Sequence, residues 1–494
     1  MEYDCTVNVL KFGGTSVGNG ARIAQVASII VQTLQENTTP FPVVVVSAMS
    51  GVTDQLLRIA RHTCLGEHEA ASQEQHALRH KHIEAAETLV PESERRAELL
   101  RDLDQAFTSL AQAIVELRQA AERNQDVALP TAAVAAWGER LSIRLVAAAV
   151  REAGASAEAV REEIIVTSHP QSDPAQPFGI VVGADPLASE TRANADRLIK
   201  PLVARRVVPI APGFIGRTIT GFATTLGRNG SDYSATVIGA ALDCTEVTIY
   251  TDVDGVLTAD PRLVSNARLL AQLSYAEAAR LSWFGAKVLH PRTLIPIAPR
   301  NIPVRVRNTF RPHIRGTVVG PVGRSQSGAT AITTRRKLAL ITVESVDMFG
   351  APENASQVFA LAAGAGAAPV AICSSSGHHL SFLVEEQAAD SVIALLRHDL
   401  DNWKVCCRRG LAACACIGSG FTADPMSPAR ATTALAHERI PVVTQGASEQ
   451  GITLIVEDRD SERALRCLHR DLIAPVIPLV RHEAPGQKKK RLEA

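Results

Sequence analysis

The stretch Val9-Leu10-Lys11-Phe12-Gly13-Gly14-Thr15-Ser16-Val17 decides the fold and carries the first chemical signal. The apolar residues from Val7 to Leu10 predict a buried strand, and a segment with helical spacing follows from Ala21. Between them lies a turn with a lysine, two glycines and two hydroxyls, whose backbone N–H groups suit an anion. No Gly-Lys pair occurs anywhere in the chain, so the turn is not a P-loop. We therefore predict a phosphate-binding turn of another kind.

The composition is typical of a soluble enzyme with two or three domains. A chain of 494 residues is too long for one compact core. The formal net charge of zero argues against a nucleic-acid partner. No uncharged apolar run reaches the roughly 20 residues that a membrane span needs, so no membrane partner is expected. The first residues lack an export signal, and nine irregularly spaced cysteines indicate a reducing compartment, so we expect a cytoplasmic protein.

Apolar strands alternate with helical segments through the first three hundred residues. Pro42–Ser47, Val207–Ala211 and Val247–Tyr250 read as buried strands. Residues 66–126 have the pattern of two long amphipathic helices. Fully apolar strands separated by helices predict an α/β fold, with an open and mostly parallel sheet between layers of helices.

The pattern changes after Gly316, where two segments of similar order follow one another. Each reads as a strand, a helix, a strand, a serine-bearing turn, a strand and a helix, which predicts two copies of a small βαββαβ unit. We place a first domain at 1–315, the first small unit at 316–405 and the second at 406–480. The basic tail, 481–494, is expected to be disordered.

Four loops carry hydroxyls, glycines and charges, and three of them directly follow predicted strands. They are Lys11–Thr15, Ser47–Thr53, Gly227–Asp232 and Thr251–Asp254. Ligands of open α/β sheets bind outside the carboxyl ends of the strands. Any single loop of this kind is more often an ordinary turn, but four together favour one binding cleft.

These motifs, in this order and spacing, resemble the aspartate kinase family. The residues that carry the resemblance are Lys11–Val17, Gly227–Ala235, Thr251–Gly255 and Phe284–Pro291. The resemblance spans residues 6–310, and the two small units resemble the tandem ACT domains of that family. It implies an amino-acid-kinase fold followed by two ferredoxin-like ACT domains.

The resemblance also implies the reaction. The γ-phosphate of ATP would pass to the side-chain carboxylate of L-aspartate, the first step towards lysine, threonine and methionine. Lys11 would neutralise the transferring phosphoryl group and Asp232 would hold Lys11, although a helix cap is an equally good reading of Asp232. Mg²⁺ would bridge the phosphates of ATP.

Further site residues follow from the matched motifs. Arg228 suits the α-carboxylate of aspartate and Glu139 its ammonium group, although Glu139 also reads as a surface charge on a helix. Ser47 and Thr53 would complete the aspartate site. The expected ATP contacts are Lys11, Gly13, Gly14, Ser231, Thr251, Asp252, Arg262 and Lys287. Leu257 stands where many members have an aromatic residue, which leaves the stacking of adenine open.

The ACT domains of the family bind an amino-acid effector and pair with one another. The candidate effector residues are Met348, Asn354, Ser374 and Gln445. Val370 stands where lysine-sensing relatives often have aspartate, which favours threonine or no strong effector over lysine. Pairing of the domains predicts a homo-oligomer, a dimer or a tetramer.

Two other functions remain open from the sequence. The same fold could phosphorylate another acceptor, such as glutamate, acetylglutamate or a nucleoside monophosphate. The chain could also be a non-catalytic amino-acid sensor. Gly418–Ala423 matches a dinucleotide fingerprint, but the strand, turn and helix of the second small unit explain that match.

Overall fold

The computed structural model describes residues 6–36, 40–170, 184–227, 229–286, 289–323, 328–344, 352–376, 378–400, 403–421 and 424–473. The predicted disordered tail, 481–494, lies outside the described residues. The strands are β1 (Val7–Phe12), β2 (Phe41–Val46), β3 (Ala157–Ala159), β4 (Val166–Thr167), β5 (Val208–Pro212), β6 (Ile215–Thr218), β7 (Ala223–Thr225), β8 (Val247–Thr251), β9 (Gln272–Ser274), β10 (Val304–Asn308), β11 (Thr317–Gly320), β12 (Ala331–Glu344), β13 (Ala371–Ser376), β14 (His379–Glu385), β15 (Lys404–Ile417), β16 (Thr444–Ser448) and β17 (Gly451–Glu457). The α-helices are α1 (Gly20–Gln35), α2 (Val52–Cys64), α3 (His68–Leu89), α4 (Ser93–Glu122), α5 (Ala128–Ala135), α6 (Trp137–Glu152), α7 (Ala188–Leu198), α8 (Lys200–Ala204), α9 (Gly230–Ala241), α10 (Tyr275–Trp283), α11 (Pro352–Gly364), α12 (Ala389–Asp399), α13 (Met426–His437) and α14 (Ser461–Leu472).

An eight-stranded sheet forms the core of the first part of the chain. Its strand order is β3-β5-β2-β1-β8-β10-β11-β9. The six strands from β3 to β10 run parallel, whereas β11 is antiparallel to β10. Every residue of β1 and of β2 is buried, as expected for valine-rich strands that are covered on both faces. The predicted mostly parallel α/β fold is confirmed.

The strand order places the glycine-bearing turns at one edge of this sheet. The chain begins at β1 in the middle of the sheet, proceeds outward through β2 and β5, and then returns to the other side of β1 as β8. The carboxyl ends of β1, β2, β5 and β8 therefore lie side by side. This is the edge at which ligands bind in open α/β sheets.

The C-terminal part contains a six-stranded antiparallel sheet in the order β13-β14-β12-β15-β17-β16. Its two central strands, β12 and β15, are each 14 residues long and pair with one another over most of their length. The first part of β12 lies beside the half of β15 that pairs with β17, whereas the second part pairs with β14. The boundary predicted between residues 405 and 406 falls inside β15, and the division into two units remains a prediction.

Apolar packing joins the C-terminal sheet to the rest of the chain. Ala259 and Val264, which follow β8, share a hydrophobic cluster with Phe421 and Leu468 of the C-terminal part. Cys414 and Cys416 are buried in the same cluster, on one face of β15 as their spacing predicts. None of the helices in the described ranges combines the length and the apolar character that crossing a membrane requires.

Candidate active site

A cavity of about 430 Å³ lies at the carboxyl ends of the central strands. Three of the four loops predicted to converge there contribute to its walls. They are the loop after β1, the loop after β2 and the loop that leads into α9. The predicted residues that line it are Lys11, Gly14, Ser47, Thr53, Glu139, Ser231 and Asp232. The structure therefore brings seven of the predicted site residues into one cleft.

Lys11 and Asp232 form an ion pair inside this cavity. Lys11 Nζ lies 2.5 Å from Asp232 Oδ1, and the two side chains are only 9% and 18% exposed. Lys11 is the fifth residue of β1, whereas Asp232 lies in the first turn of α9, where the positive end of the helix faces the cleft. Asp232 thus neutralises a buried lysine, which a helix cap alone would not do.

Gly14 allows the turn after β1 to approach the loop after β2. A Cβ atom on Gly14 would lie 3.1 Å from the carbonyl oxygen of Ala48, which is tighter than nine in ten real contacts of a Cβ atom. The two loops are also joined by a hydrogen bond from Ser47 N to Phe12 O, 3.1 Å long. The turn is therefore packed against the neighbouring strand end. Gly13 is not among the residues that line the cavity.

Glu139 is a buried carboxylate that faces the cavity. It lies near the start of α6, is only 2% exposed, and its Oε1 accepts a hydrogen bond of 3.1 Å from Ala48 N. Its Oε2 is buried and has no hydrogen-bond partner among the described residues. Burial raises the pKa of Glu139 to about 8, against the opposing effects of the Ala48 N–H and the charge of Lys11. The alternative reading of Glu139 as a surface charge is wrong.

Gly138 explains how Glu139 reaches the cleft. The chain breaks between two helices just before this glycine, because α5 ends at Ala135 and α6 begins at Trp137. A Cβ atom on Gly138 would lie 2.7 Å from the Cβ of Ala48, so only glycine lets α6 come this close to the loop after β2. The close approach puts the adjacent carboxylate within hydrogen-bond distance of Ala48 N.

The predicted nucleotide contacts near the end of β8 lie outside this cavity. Thr251 Oγ1 donates a hydrogen bond of 3.2 Å to Asp252 Oδ1. The side chain of Arg262 is 84% exposed and pairs with Asp260. Leu257 forms an isolated bridge with Leu269. Arg228 and Lys287 lie outside the described residues.

Phe214 and Asn229 are among the residues that line the cleft and that sequence reasoning did not name as site residues. Both have the left-handed backbone conformation, with φ of 60° and 58°. Phe214 follows β5, the strand next to β2, so the rule that ligands bind at strand ends could have found it. Asn229 lies inside the predicted loop Gly227–Asp232, but the chemistry of an asparagine side chain does not by itself indicate a binding residue.

The predicted effector residues lie at the two edges of the six-stranded sheet or at its first helix. Gln445 is exposed on the edge strand β16. Ser374 belongs to β13, the opposite edge, and Asn354 to α11. Met348 lies outside the described residues. Their role as effector contacts stays a prediction.

The chain resembles two groups of known proteins. The amino acid kinase family matches residues 6–308, and the ACT domain matches residues 415–472. Aspartokinase 3, chloroplastic, of Arabidopsis thaliana is 31% identical over 491 residues, covering 93% of this chain and 80% of the relative. The bifunctional aspartokinase/homoserine dehydrogenase 2, chloroplastic, of the same plant is 34% identical and covers 94% of this chain but 50% of the relative. The chain thus spans about half the length of the bifunctional relatives it matches.

A solved structure has the same architecture over almost the whole chain. The crystal structure of E. coli aspartokinase III in complex with aspartate and ADP superposes with a TM-score of 0.74 at 27% identity. The match covers 95% of this chain and 100% of that one. The likeness therefore includes both the parallel sheet and the C-terminal sheet.

Proposed function

Because the chain belongs to the aspartokinase family of amino acid kinases, we propose that it transfers the γ-phosphate of ATP to the side-chain carboxylate of L-aspartate. One observation carries the proposal most directly. A single cavity holds a cation, Lys11, that has its own carboxylate partner, and a buried carboxylate, Glu139, that has an oxygen without one. The first suits a phosphoryl group and the second suits an ammonium group.

The acceptor in this reaction needs no strong general base. A side-chain carboxylate is already ionised at neutral pH, so catalysis consists of positioning and charge stabilisation. Lys11 neutralises the charge on the transferring phosphoryl group while Asp232 holds the lysine in place. The N-terminus of α9 adds a partial positive charge at the same place.

Glu139 holds the α-ammonium group of aspartate. In the free enzyme the pKa of Glu139, at about 8, keeps the carboxyl group protonated at neutral pH. An arriving ammonium group supplies the missing positive charge, so Glu139 loses its proton to solvent and forms an ion pair. Ser47 and Thr53 line the same cavity and offer hydroxyl groups, and Arg228 supplies the cation for the α-carboxylate.

The nucleotide occupies the side of the cleft near β8. Gly13, Gly14 and Ser231 approach its phosphates, and the other contacts are Thr251, Asp252, Arg262 and Lys287. The described residues contain no group of three or more His, Cys, Asp or Glu side chains that could hold a metal ion. A magnesium ion would be carried by the phosphates of ATP, where it would neutralise charge.

The C-terminal sheet regulates the enzyme. We assign to it the binding of an amino-acid effector and the contacts of a homo-oligomer, a dimer or a tetramer. The match of an ACT domain to residues 415–472 supports this part of the proposal.

The test is an ATP-dependent assay that traps the acyl phosphate with hydroxylamine. We expect product with L-aspartate, little with L-glutamate, and none with N-acetyl-L-aspartate, which lacks the ammonium group that Glu139 requires. Activity with N-acetyl-L-glutamate alone would contradict the proposal and favour another member of the same fold.

A further inference from the structure

The segment 308–311 begins at the last residue of β10 and lies beside both of the strand ends that are proposed to hold the nucleotide. In the sheet, β10 pairs with β8 and β8 pairs with β1, so β10 and β1 are not neighbours. The structure describes all four residues of the segment, and none of them lines the active-site cavity. The segment therefore contributes to the nucleotide side of the cleft without forming a wall of the proposed aspartate site.

Thr309 connects this segment to the turn after β1. Its Oγ1 lies 2.6 Å from Ser16 Oγ, in a hydrogen bond between the hydroxyl groups of two fully buried residues. Its carbonyl oxygen accepts a hydrogen bond of 3.0 Å from Gln25 Nε2 of α1. Because β8 lies between β1 and β10 in the sheet, these contacts join two strand ends that do not pair with one another.

The same segment holds the loop after β8. Thr309 N donates a hydrogen bond of 2.8 Å to Thr251 O. Asn308 is only 2% exposed, and its Nδ2 donates to Asp252 O over 3.2 Å and to Asp254 Oδ1 over 2.8 Å. The loop is therefore tied to the segment by hydrogen bonds at three of its residues.

The turn after β1 is held from two further directions. Arg22 of α1 donates from Nη1 to Thr15 O over 2.9 Å, and its guanidinium group lies 5.3 Å from the centre of the Phe310 ring, where a cation is attracted to the ring face. Gly13 N donates to Tyr250 O, at the end of β8, over 3.3 Å. The turn after β1, the loop after β8 and the segment 308–311 thus form one connected network.

Phosphoryl transfer to a carboxylate depends on position, because the acceptor needs no strong base. A misplacement of about 1 Å, even far from the chemistry, can lower a rate about 10²-fold. We propose that Thr309 is a positioning residue for this step, whose hydroxyl group holds the turn that carries Lys11 at a fixed distance from the loop after β8. Thr309 acts through Ser16 and the backbone of Thr251, and not by contact with a substrate. The inference rests on the proposed function, since it takes both loops to hold the nucleotide.

The test is a double-mutant cycle on the two hydroxyl groups. Thr309→Val keeps the shape of the side chain but leaves Ser16 Oγ buried without this partner, and Ser16→Ala does the same to Thr309 Oγ1. We expect each single variant to lower kcat/KM for ATP about tenfold or more, while KM for aspartate changes less than about twofold. The double variant should lose no more than either single variant, because it leaves neither hydroxyl unpaired. Thr309→Ser, which retains the hydroxyl group, should recover most of the activity.

Thr63→Val is the matched control. Thr63 is also a buried threonine, and its hydroxyl group donates to Ile59 O within α2. The control should lower the temperature of unfolding but leave the ratio of the two KM values unchanged, which separates a loss of stability from a loss of position. Calorimetric titration with the β,γ-imido analogue of ATP, in the absence of aspartate, gives a readout without turnover. We expect that binding to weaken about tenfold in Thr309→Val and to stay unchanged in Thr63→Val.

Thermal unfolding of each variant establishes that it is folded, and Ser16→Ala makes the same prediction if Thr309→Val does not fold. Three results would each overturn the inference: a parental kcat/KM for ATP in the folded single variants, equal changes in both KM values, or a loss in the double variant that is the product of the two single losses. No turnover of aspartate by a parent chain that binds the ATP analogue would contradict the proposed function alone, because the binding experiment still decides the role of Thr309. Failure of the parent to bind the analogue would contradict both.

Discussion

Two regions of the active-site cavity differ in how they treat a buried ionisable group. At the turn after β1, Lys11 has a permanent partner in Asp232, whereas Glu139, near the start of α6, has an oxygen, Oε2, without a hydrogen-bond partner among the described residues. A charge that is paired inside the protein is ready before any ligand arrives, and a charge without a counter-ion gains most when a ligand supplies it. The comparison separates resident catalytic charge from charge that waits for a ligand.

Loss of the paired charge should have the largest effect. We expect Lys11→Ala to lower kcat by about 10³-fold or more, because the charge of the transferring phosphoryl group is then not neutralised and Asp232 adds an opposing charge. The measurement is ATP turnover with saturating aspartate. Lys200→Ala, which removes an exposed lysine paired with Asp196, is the control. Near-normal turnover of Lys11→Ala would refute the role given to this lysine.

Loss of the unpaired carboxylate of Glu139 should mainly lower kcat/KM for aspartate. We expect Glu139→Gln to lower kcat/KM for aspartate by about 10²-fold while KM for ATP changes little. In the parent, kcat/KM should rise with pH up to a pH of about 8, where Glu139 becomes ionised in the free enzyme. The variant should lose that rise. Glu122→Gln, at the exposed end of α4, should keep it, and a rise that persists in Glu139→Gln would assign it to another group.

A buried histidine extends the comparison of buried charges to the pH dependence of the free energy of unfolding. His82 is fully buried, its Nδ1 lies 2.8 Å from Leu78 O, and burial lowers its pKa to about 4. Because the folded pKa lies below the ordinary value of 6.5, the stabilisation is complete above pH 6.5 and is lost as the pH falls towards 4. The parent should lose roughly 3 kcal/mol of unfolding free energy over that range through this one group.

Replacing His82 by leucine should remove most of this acid sensitivity. Denaturant unfolding at both ends of the pH range gives the difference. His80→Leu, at an exposed position on the same helix, should leave the difference unchanged. An equal acid loss in His82→Leu and in the parent would show that other groups cause it.

In the ligand-free enzyme, the contribution of Glu139 to stability changes with pH in the opposite direction to that of His82. Its folded pKa lies above the ordinary value, so its contribution is present below pH 4.5 and is lost as the pH rises through about 8. The two buried groups thus oppose each other across neutral pH. Aspartate should abolish the alkaline loss because its ammonium group pairs with Glu139.

Local patterns predicted the centre of the fold and part of the site. The turn from Lys11 to Ser16 could be read because a valine-rich strand, two glycines and a helix start are signals within one short segment. The pairing of Lys11 with Asp232 was implied by the resemblance to the aspartate kinase family, and the convergence of strand ends explains only why their loops share one cleft. Glu139 could be named only through the resemblance, since its burial depends on the contact of Gly138 with Ala48, about ninety residues earlier.

The contact between Ser16 and Thr309 could not be predicted from local patterns. The two residues are 293 positions apart in the chain. Nothing in the sequence around Thr309 distinguishes it from an exposed threonine at the end of a strand. The pairing of both halves of β12 and β15 is equally non-local, because the period of two that predicts a strand does not say which strand lies beside it.

The smallest expected effect concerns the contact between the C-terminal part and the loop after β8, which carries the proposed nucleotide contacts Asp252 and Arg262. Thr258 Oγ1 accepts from Arg268 N and hydrogen-bonds to His469 Nε2, both over 2.9 Å, in a buried contact between the loop after β8 and α14. We expect Thr258→Val to lower the free energy of unfolding by about 1–2 kcal/mol and to raise KM for ATP more than KM for aspartate, because the loop carries Asp252 and Arg262. Thr108→Val, whose hydroxyl donates to Asp104 O on an exposed helix face, is the control. Equal changes in both KM values would mean that the link supports the whole cleft and not its nucleotide side.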